Sequence, residues 1–208
     1  MYAVTLENDS PPGTRVRAVR AALRGGARVV QYRDKSTDAA RRRAEASALL
    51  AACRDAGARL IVNDDIALAA EIGADGVHVG RDDASPRAAR AALGPAAIIG
   101  VSCYDSLELA EAAMANGADY VAFGSFFPSP TKPHAVRPDI ALLTRARARL
   151  GRVPLVAIGG ITPENGADLV AAGADMLAVV TGVFATPDPE AAARTYAALF
   201  AASSAAAR

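Results

Sequence analysis

The sequence predicts an α/β fold, a (β/α)8 TIM barrel, and three observations point there. Short apolar runs alternate eight times with longer Ala-, Leu- and Arg-rich segments of helical pattern. The runs are apolar almost throughout, as expected of parallel strands buried on both faces. A Gly-Ala-Asp or Gly-Ala-Arg junction recurs at residues 26–28, 57–59, 73–75, 117–119 and 173–175, each where a helix would end and a strand begin. Eight such units in 208 residues fit one domain over 1–208, with 201–208 expected as a frayed tail. The alternative is an open doubly wound sheet, but no G-x-G-x-x-G follows the first strand.

Taken in order, the strands are expected at 2–5, 29–32, 59–62, 76–79, 98–102, 120–123, 155–158 and 176–180. Helices are expected near 15–24, 38–56, 66–72, 86–93, 106–116, 140–150, 163–172 and 189–201. Asp38, Ser85 before Pro86, Thr162 before Pro163 and Asp188 before Pro189 are helix-start signals, since a short polar side chain caps free N–H groups and proline suits the first turn. One connection is oversized. Residues 124–139 carry Pro128, Pro130, Pro133 and Pro138, and a βα loop this long is usually functional.

Composition excludes several classes. With 23 basic against 22 acidic residues the chain carries no global field for nucleic acid or anionic lipid. No apolar run approaches the roughly 18 residues of a membrane span, and no charged-then-apolar leader opens the sequence. Cys53 and Cys103 stand far apart, which suits neither a disulfide framework nor a thiolate zinc site. The expectation is a cytoplasmic protein acting on small molecules, with homo-oligomerisation left open. All the basic residues are Arg except Lys35 and Lys132.

In a barrel, chemistry belongs to the loops after the strands, and the polar residues collect there. The second strand ends in Gln31-Tyr32-Arg33-Asp34-Lys35, the third in Asn63-Asp64-Asp65, the fourth in residues 78–83, and the fifth in Ser102. The long loop holds Ser129-Pro130-Thr131-Lys132; Gly159-Gly160 and Thr181-Gly182 follow strands seven and eight. Arg33, Lys35 and Lys132 are cations suited to a diphosphate. Asp64 and Asp83 suit Mg²⁺, which takes one or two carboxylates and completes its shell with water and phosphate oxygens. The Gly-Gly and Thr-Gly turns sit where backbone N–H groups cradle a phosphomonoester. Plainer readings stand beside these. Asp65 reads as a helix cap, Asp82 as solvated surface, Tyr32 and Tyr104 as rim packing, His78 and His134 as structural, and Cys103 as a small packing residue. Arg41-Arg42-Arg43 reads as a solvated outer helix face.

These residues, taken in order, resemble the thiamine phosphate synthase family across nearly the whole chain. The likeness rests on Gln31-Tyr32-Arg33-Asp34-Lys35, Asn63-Asp64, Gly76-Val77-His78-Val79-Gly80 followed by Asp83, Gly100-Val101-Ser102, Thr131-Lys132, Ala157-Ile158-Gly159-Gly160-Ile161 and Val179-Val180-Thr181. The resemblance implies a transferase of thiamine biosynthesis. It would join hydroxymethylpyrimidine diphosphate to hydroxyethylthiazole phosphate, giving thiamine monophosphate and pyrophosphate by a dissociative, Mg²⁺-assisted route. It assigns Gln31, Arg33, Lys35, Asn63, Ser102 and Lys132 to the pyrimidine diphosphate, with Tyr32 and Asp34 in the same segment; Arg33, Lys35, Ser102 and Lys132 would be catalytic. It gives Asp64 and Asp83 to Mg²⁺, and Ser129, Pro130, Thr131, Gly160, Val180 and Thr181 to the thiazole phosphate. The Lys132 loop would act as a lid. Departures are mild: Tyr32 stands for an aliphatic residue, Arg81-Asp82 for Gln-Glu, and Ser125 for Pro. The rivals are a thiazole tautomerase, which has no use for the diphosphate-binding charges, a ligand-sensing barrel without turnover, and a sugar-phosphate epimerase, which wants paired strand-end histidines.

Overall fold

Eight parallel strands close into a barrel in sequence order, β1 to β8, in a computed structural model describing residues 1–7, 11, 13–128 and 136–206. The strands are β1 (Tyr2–Val4), β2 (Val29–Tyr32), β3 (Arg59–Asn63), β4 (Gly76–Val79), β5 (Ile98–Tyr104), β6 (Tyr120–Phe123), β7 (Leu155–Ile158) and β8 (Met176–Val179). Around them lie α1 (Thr14–Arg24), α2 (Ala39–Asp55), α3 (Ile66–Ile72), α4 (Pro86–Leu93), α5 (Leu107–Ala115), α6 (Ala141–Leu150) and α7 (Pro163–Ala171). A four-residue α8 (Thr181–Phe184) precedes the last helix, α9 (Pro189–Ala206). No helix among the described residues is long and apolar enough to cross a membrane.

The predicted helix starts cap as read. Asp38 accepts from Arg41 N, Ser85 from Ala88 N, and Asp188 from Glu190 N and Ala191 N, while Asn165 Oδ1 accepts from Thr162 N. The five junction glycines all have positive φ, from 62° to 114°, the conformation that ends a helix at little steric cost.

The junction aspartates do a second task. Asp75, Asp119 and Asp175 each accept a backbone N–H from the neighbouring strand (Leu60, Ile99 and Leu155, at 2.7–2.8 Å) and pair with Arg59, Arg90 and Arg147 respectively. One residue type thus ties adjacent strands together at the base of the barrel in three places.

Strand residues alternate between two buried layers. Val30, Tyr32, Leu60, Val62, Val121, Phe123, Leu155 and Leu177 pack outward in the main core. Tyr2, Val4, Tyr120, Ala122, Val156 and Ala178 form a smaller lumen cluster. Because both faces are buried, the strands read as continuous apolar runs. The polar exceptions, Gln31 and His78, face the lumen, and they mark the site.

Candidate active site

At the C-terminal ends of the strands the lumen opens into a cavity of about 1160 Å³. Gln31 and Arg33 from the end of β2, Asn63 from β3, His78 from β4 and Ser102 from β5 line one side. Gly159 and Gly160 after β7, and Val180, Thr181 and Gly182 after β8, line the other. Seven of the residues read from the sequence as ligand contacts (Gln31, Arg33, Asn63, Ser102, Gly160, Val180 and Thr181) therefore share one cavity. At Gly160 a side chain has no room, since a Cβ would lie 2.4 Å from the Pro128 carbonyl oxygen. The short α8 begins beside this turn, and first-turn N–H groups lack intrahelical acceptors.

The cationic side is built by the ends of β1, β2 and β3. Thr5 Oγ1 accepts from Arg33 N at 2.9 Å and donates to Arg33 O at 3.2 Å. Glu7 pairs with the Arg33 guanidinium and accepts from Lys35 N at 3.2 Å. Lys35 Nζ stands 3.8 Å from Asp64 Oδ2, and Asn63 Nδ2 donates to the same oxygen at 2.6 Å. Asp64 holds φ 62°, a left-handed conformation uncommon for a residue with a side chain. Burial, followed by the hydrogen bond and negative charge of Asp83, pushes the Asp64 carboxyl above its usual range, against the pull of Lys35 and Asn63. Asp83 Oδ2 in turn accepts from Gly80 N at 2.7 Å. Two neighbouring carboxyl groups that disfavour each other's charge, with a single lysine nearby among the described residues, are a donor set that fits a divalent cation completed by water and phosphate oxygens.

Tyr32 and Asp34 turn the other way. Asp34 has a side chain 2% exposed and binds Arg15 at 3.1 Å and Arg41 at 2.9 Å, while its Oδ1 accepts from Ser36 N at 2.8 Å. Arg15 also pairs with Glu45, which accepts from the Tyr32 hydroxyl at 3.0 Å. Burial alone would raise the Asp34 carboxyl, but the Ser36 hydrogen bonds and Arg15 outweigh it and hold it at about 2. Asp34 thus anchors the middle of the loop to the helical layer; of its neighbours, Arg33 lines the cavity, whereas Lys35 is largely exposed and reaches Asp64. The solvated-face reading of Arg41-Arg42-Arg43 needs correcting. Arg41 binds Asp34, Arg42 binds Asp65 at 2.7 Å, and only Arg43, paired with Glu71, is mostly exposed. The first turn of α2 abuts the βα loops, so acids there meet arginines that helical periodicity alone assigns to solvent.

Ser129, Pro130, Thr131, Lys132 and His134 lie outside the described residues. Cys53 and Cys103 are buried free thiols, pushed up to about 12 by burial. Asp65 caps α3, accepting from Leu68 N. Arg81 lines the cavity with its guanidinium 4.6 Å over the Tyr104 ring. The sequence reading missed Glu7, Thr5, Arg15 and Glu45, and it missed Tyr2 on the cavity floor and Tyr120 beneath it. Thr5-Leu6-Glu7 follows β1 as the other polar groups follow their strands, which was the available signal.

Residues 1–183 match the family model described as thiamine monophosphate synthase. The thiamine-phosphate synthase of Thiobacillus denitrificans is 59% identical over 203 residues, covering 97% of this chain and 95% of that protein. That of Thioalkalivibrio sulfidiphilus is 56% identical over 201 residues, covering 96% and 94%. The solved thiamine phosphate pyrophosphorylase of Pyrococcus furiosus superposes with a TM-score of 0.86 at 31% identity, covering 97% of this chain and 95% of its own. A site with charge on one side and a backbone-lined turn on the other, carried by sequence likeness along almost its full length, makes this chain a member of the thiamine monophosphate synthase family.

Proposed function

We propose that the protein condenses hydroxymethylpyrimidine diphosphate with hydroxyethylthiazole phosphate, releasing thiamine monophosphate and pyrophosphate, as a cytoplasmic step of thiamine biosynthesis. The observation that carries this reading is the single cavity joining the Arg33 side to the turns at Gly160 and Thr181. One ligand contributes a diphosphate, the other a monophosphate, and their reacting atoms meet between the two ends.

In this reading the bond between the pyrimidine methylene carbon and the diphosphate oxygen breaks first, its electron pair leaving with pyrophosphate. The thiazole nitrogen then donates its lone pair to the methylene cation, forming the carbon–nitrogen bond. The protein supplies no covalent intermediate. Its work is to hold charge where charge develops. Arg33 and Lys35, with Lys132, bind the departing oxygens; Gln31, Asn63 and Ser102 bind the rest of the pyrimidine substrate; Tyr32 and Asp34 keep that segment in place. Asp64 and Asp83 would hold Mg²⁺, which when bound supplies further positive charge to the leaving group. Ser129, Pro130 and Thr131 contact the thiazole substrate, and Gly160 with the Val180-Thr181 backbone receives its phosphate. The acid pair and the cations give the tautomerase reading nothing to explain them.

The test is an end-point assay of the purified protein with both phosphorylated halves and Mg²⁺. Stoichiometric pyrophosphate and thiamine monophosphate are expected. Conversion of the thiazole phosphate alone, with no pyrophosphate released, would overturn the reading.

A further inference from the structure

Beneath the cavity a chain of polar side chains crosses the lumen, built from five different strands. Gln31 Nε2 donates to Tyr2 Oη at 2.8 Å, and the Tyr2 and Tyr120 hydroxyl oxygens lie 2.8 Å apart. Tyr120 Oη is 2.9 Å from His78 Nδ1, and His78 Nε2 is 2.9 Å from Ser102 Oγ. The Tyr2 ring meets Tyr120 edge to face, and His78 stacks on Tyr120. The two ends, Gln31 and Ser102, line the cavity, whereas Tyr120 is 3% exposed and lines a small apolar cavity of about 170 Å³ at the base of the barrel.

The distances leave the donors in this chain open, and one direction gives every proton an acceptor. A phenol carries a single proton, and a neutral imidazole has one N–H and one lone-pair nitrogen. In that direction Tyr2 Oη accepts from Gln31 and gives its own proton to Tyr120, the remaining hydroxyl beside it among the described residues. The Tyr120 proton then goes to His78 Nδ1, so the histidine proton sits on Nε2 and is donated to Ser102. Burial keeps both phenols protonated, pushing Tyr2 up to about 12 and Tyr120 well above its usual value.

Resting on the function proposed above, we infer that Tyr2, Tyr120 and His78 are positioning residues that fix hydrogen-bond polarity at the pyrimidine site. The bond to Tyr2 sets which way the Gln31 amide faces and so presents its carbonyl oxygen as an acceptor, with a second N–H still available, while the His78 proton given to Ser102 leaves that hydroxyl free to donate. The cavity floor therefore presents an acceptor at Gln31 and a donor at Ser102. The pyrimidine of the proposed substrate carries an exocyclic amine beside a ring nitrogen, an N–H next to a lone pair, and this is the complementary pattern. An analogue with a ring carbonyl in place of the amine presents an oxygen beside a ring N–H, the reverse. A site whose polar groups are fixed in this way discriminates strongly, because the wrong ring leaves them unpaired.

The backbone makes room for the chain. Gly100 on β5 sits in register with Tyr120 on β6, and a Cβ there would lie 1.9 Å from the Tyr120 ring carbon Cζ. Any side chain at position 100 would displace the ring and break the link to His78.

Two measurements decide the matter. The first is the ¹⁵N spectrum of the ligand-free protein carrying His134→Gln, which leaves His78 as the sole histidine. A neutral ring with its proton on Nε2 is expected; a proton on Nδ1, or on both nitrogens, overturns the inference whether or not the condensation occurs. The second compares kcat/KM for the amino and carbonyl pyrimidine diphosphates in wild type and Tyr120→Phe. Loss of the Tyr120 hydroxyl is expected to reduce the preference for the amino ring by about 10–100-fold, the usual effect of removing a supporting hydrogen bond, while KM for the thiazole phosphate stays unchanged. An unchanged preference overturns it, since a merely structural tyrosine would lower stability without altering which ring is chosen. If wild type condenses neither pyrimidine, the function proposed above fails, and the spectrum alone decides the proton direction.

Discussion

On the Mg²⁺ site proposed above, Asp64→Asn is expected to lower kcat/KM by about 10²–10³-fold, because a metal holding the leaving group would contribute several kcal/mol and each 1.36 kcal/mol is tenfold in rate. The same substitution leaves the fold as stable as wild type or makes it more stable. The Asp64 side chain is 32% exposed, and its charge is disfavoured by burial first and then by the neighbouring carboxyl of Asp83. Removing one charge relieves that repulsion, and Asn tolerates the positive φ that Asp64 occupies. Lost activity with retained or improved stability is the signature of a site held for function. Rates across a Mg²⁺ titration, beside thermal melts of both proteins without metal, provide the check. A variant that keeps wild-type rates at limiting Mg²⁺ would contradict the metal assignment. One that loses activity only by unfolding would contradict the electrostatic account.

The largest effect on stability belongs to Arg15→Met. Arg15 is 6% exposed and joins Asp34 and Glu45, two acids that without it face each other in the layer between α1 and α2. Breaking one partner from a buried ion cluster costs about 3–5 kcal/mol, a large share of the roughly 5–15 kcal/mol typical of a whole domain. Chemical denaturation measures it, and a change below about 1 kcal/mol would show that Arg41 alone suffices for Asp34. The cluster also sets an acid limit. Asp34 is held at about 2 against an ordinary 3.8, so its contribution is fully present above pH 3.8 and is lost as pH falls through about 2. By linkage that contribution is about 2 kcal/mol. Asp34→Asn removes it, so the stability difference between wild type and variant is expected to narrow in this acid window. A constant difference from pH 7 to pH 2 would refute the depressed carboxyl.

The barrel was legible because its rules are local and repeated. β2, β4, β6 and β7 fall on the predicted residues: the first three begin within three residues of a junction glycine, and β7 lies between Pro154 and Gly159. β3 and β5 run further than read, to Asn63 and Tyr104, because the strand ladder continues through polar site residues where an apolar criterion stops. α8 was missed because four residues, Thr-Gly-Val-Phe, are too few to show a helical period. The cavity-facing residues were legible as polar groups at strand ends. What was not legible is what holds them. Glu7 reaches Arg33 from another strand end, and Arg15 reaches Asp34 from another helix. Tyr2 and Tyr120 sit within apolar strand runs, and nothing in those runs sets them apart, although their inward parity matches that of Gln31 and His78. Such partners depend on how distant segments meet in space, and sequence spacing carries little of that.

Calorimetric titration of pyrophosphate into the protein, with Mg²⁺ and then with the metal chelated, tests the central claim most directly. Cooperative binding is predicted: tight association with Mg²⁺, at least about tenfold weaker association without it, and loss of the difference in Asp64→Asn. Equal affinity with and without metal, in both proteins, would contradict an acid pair and a set of cations built to take away a departing diphosphate.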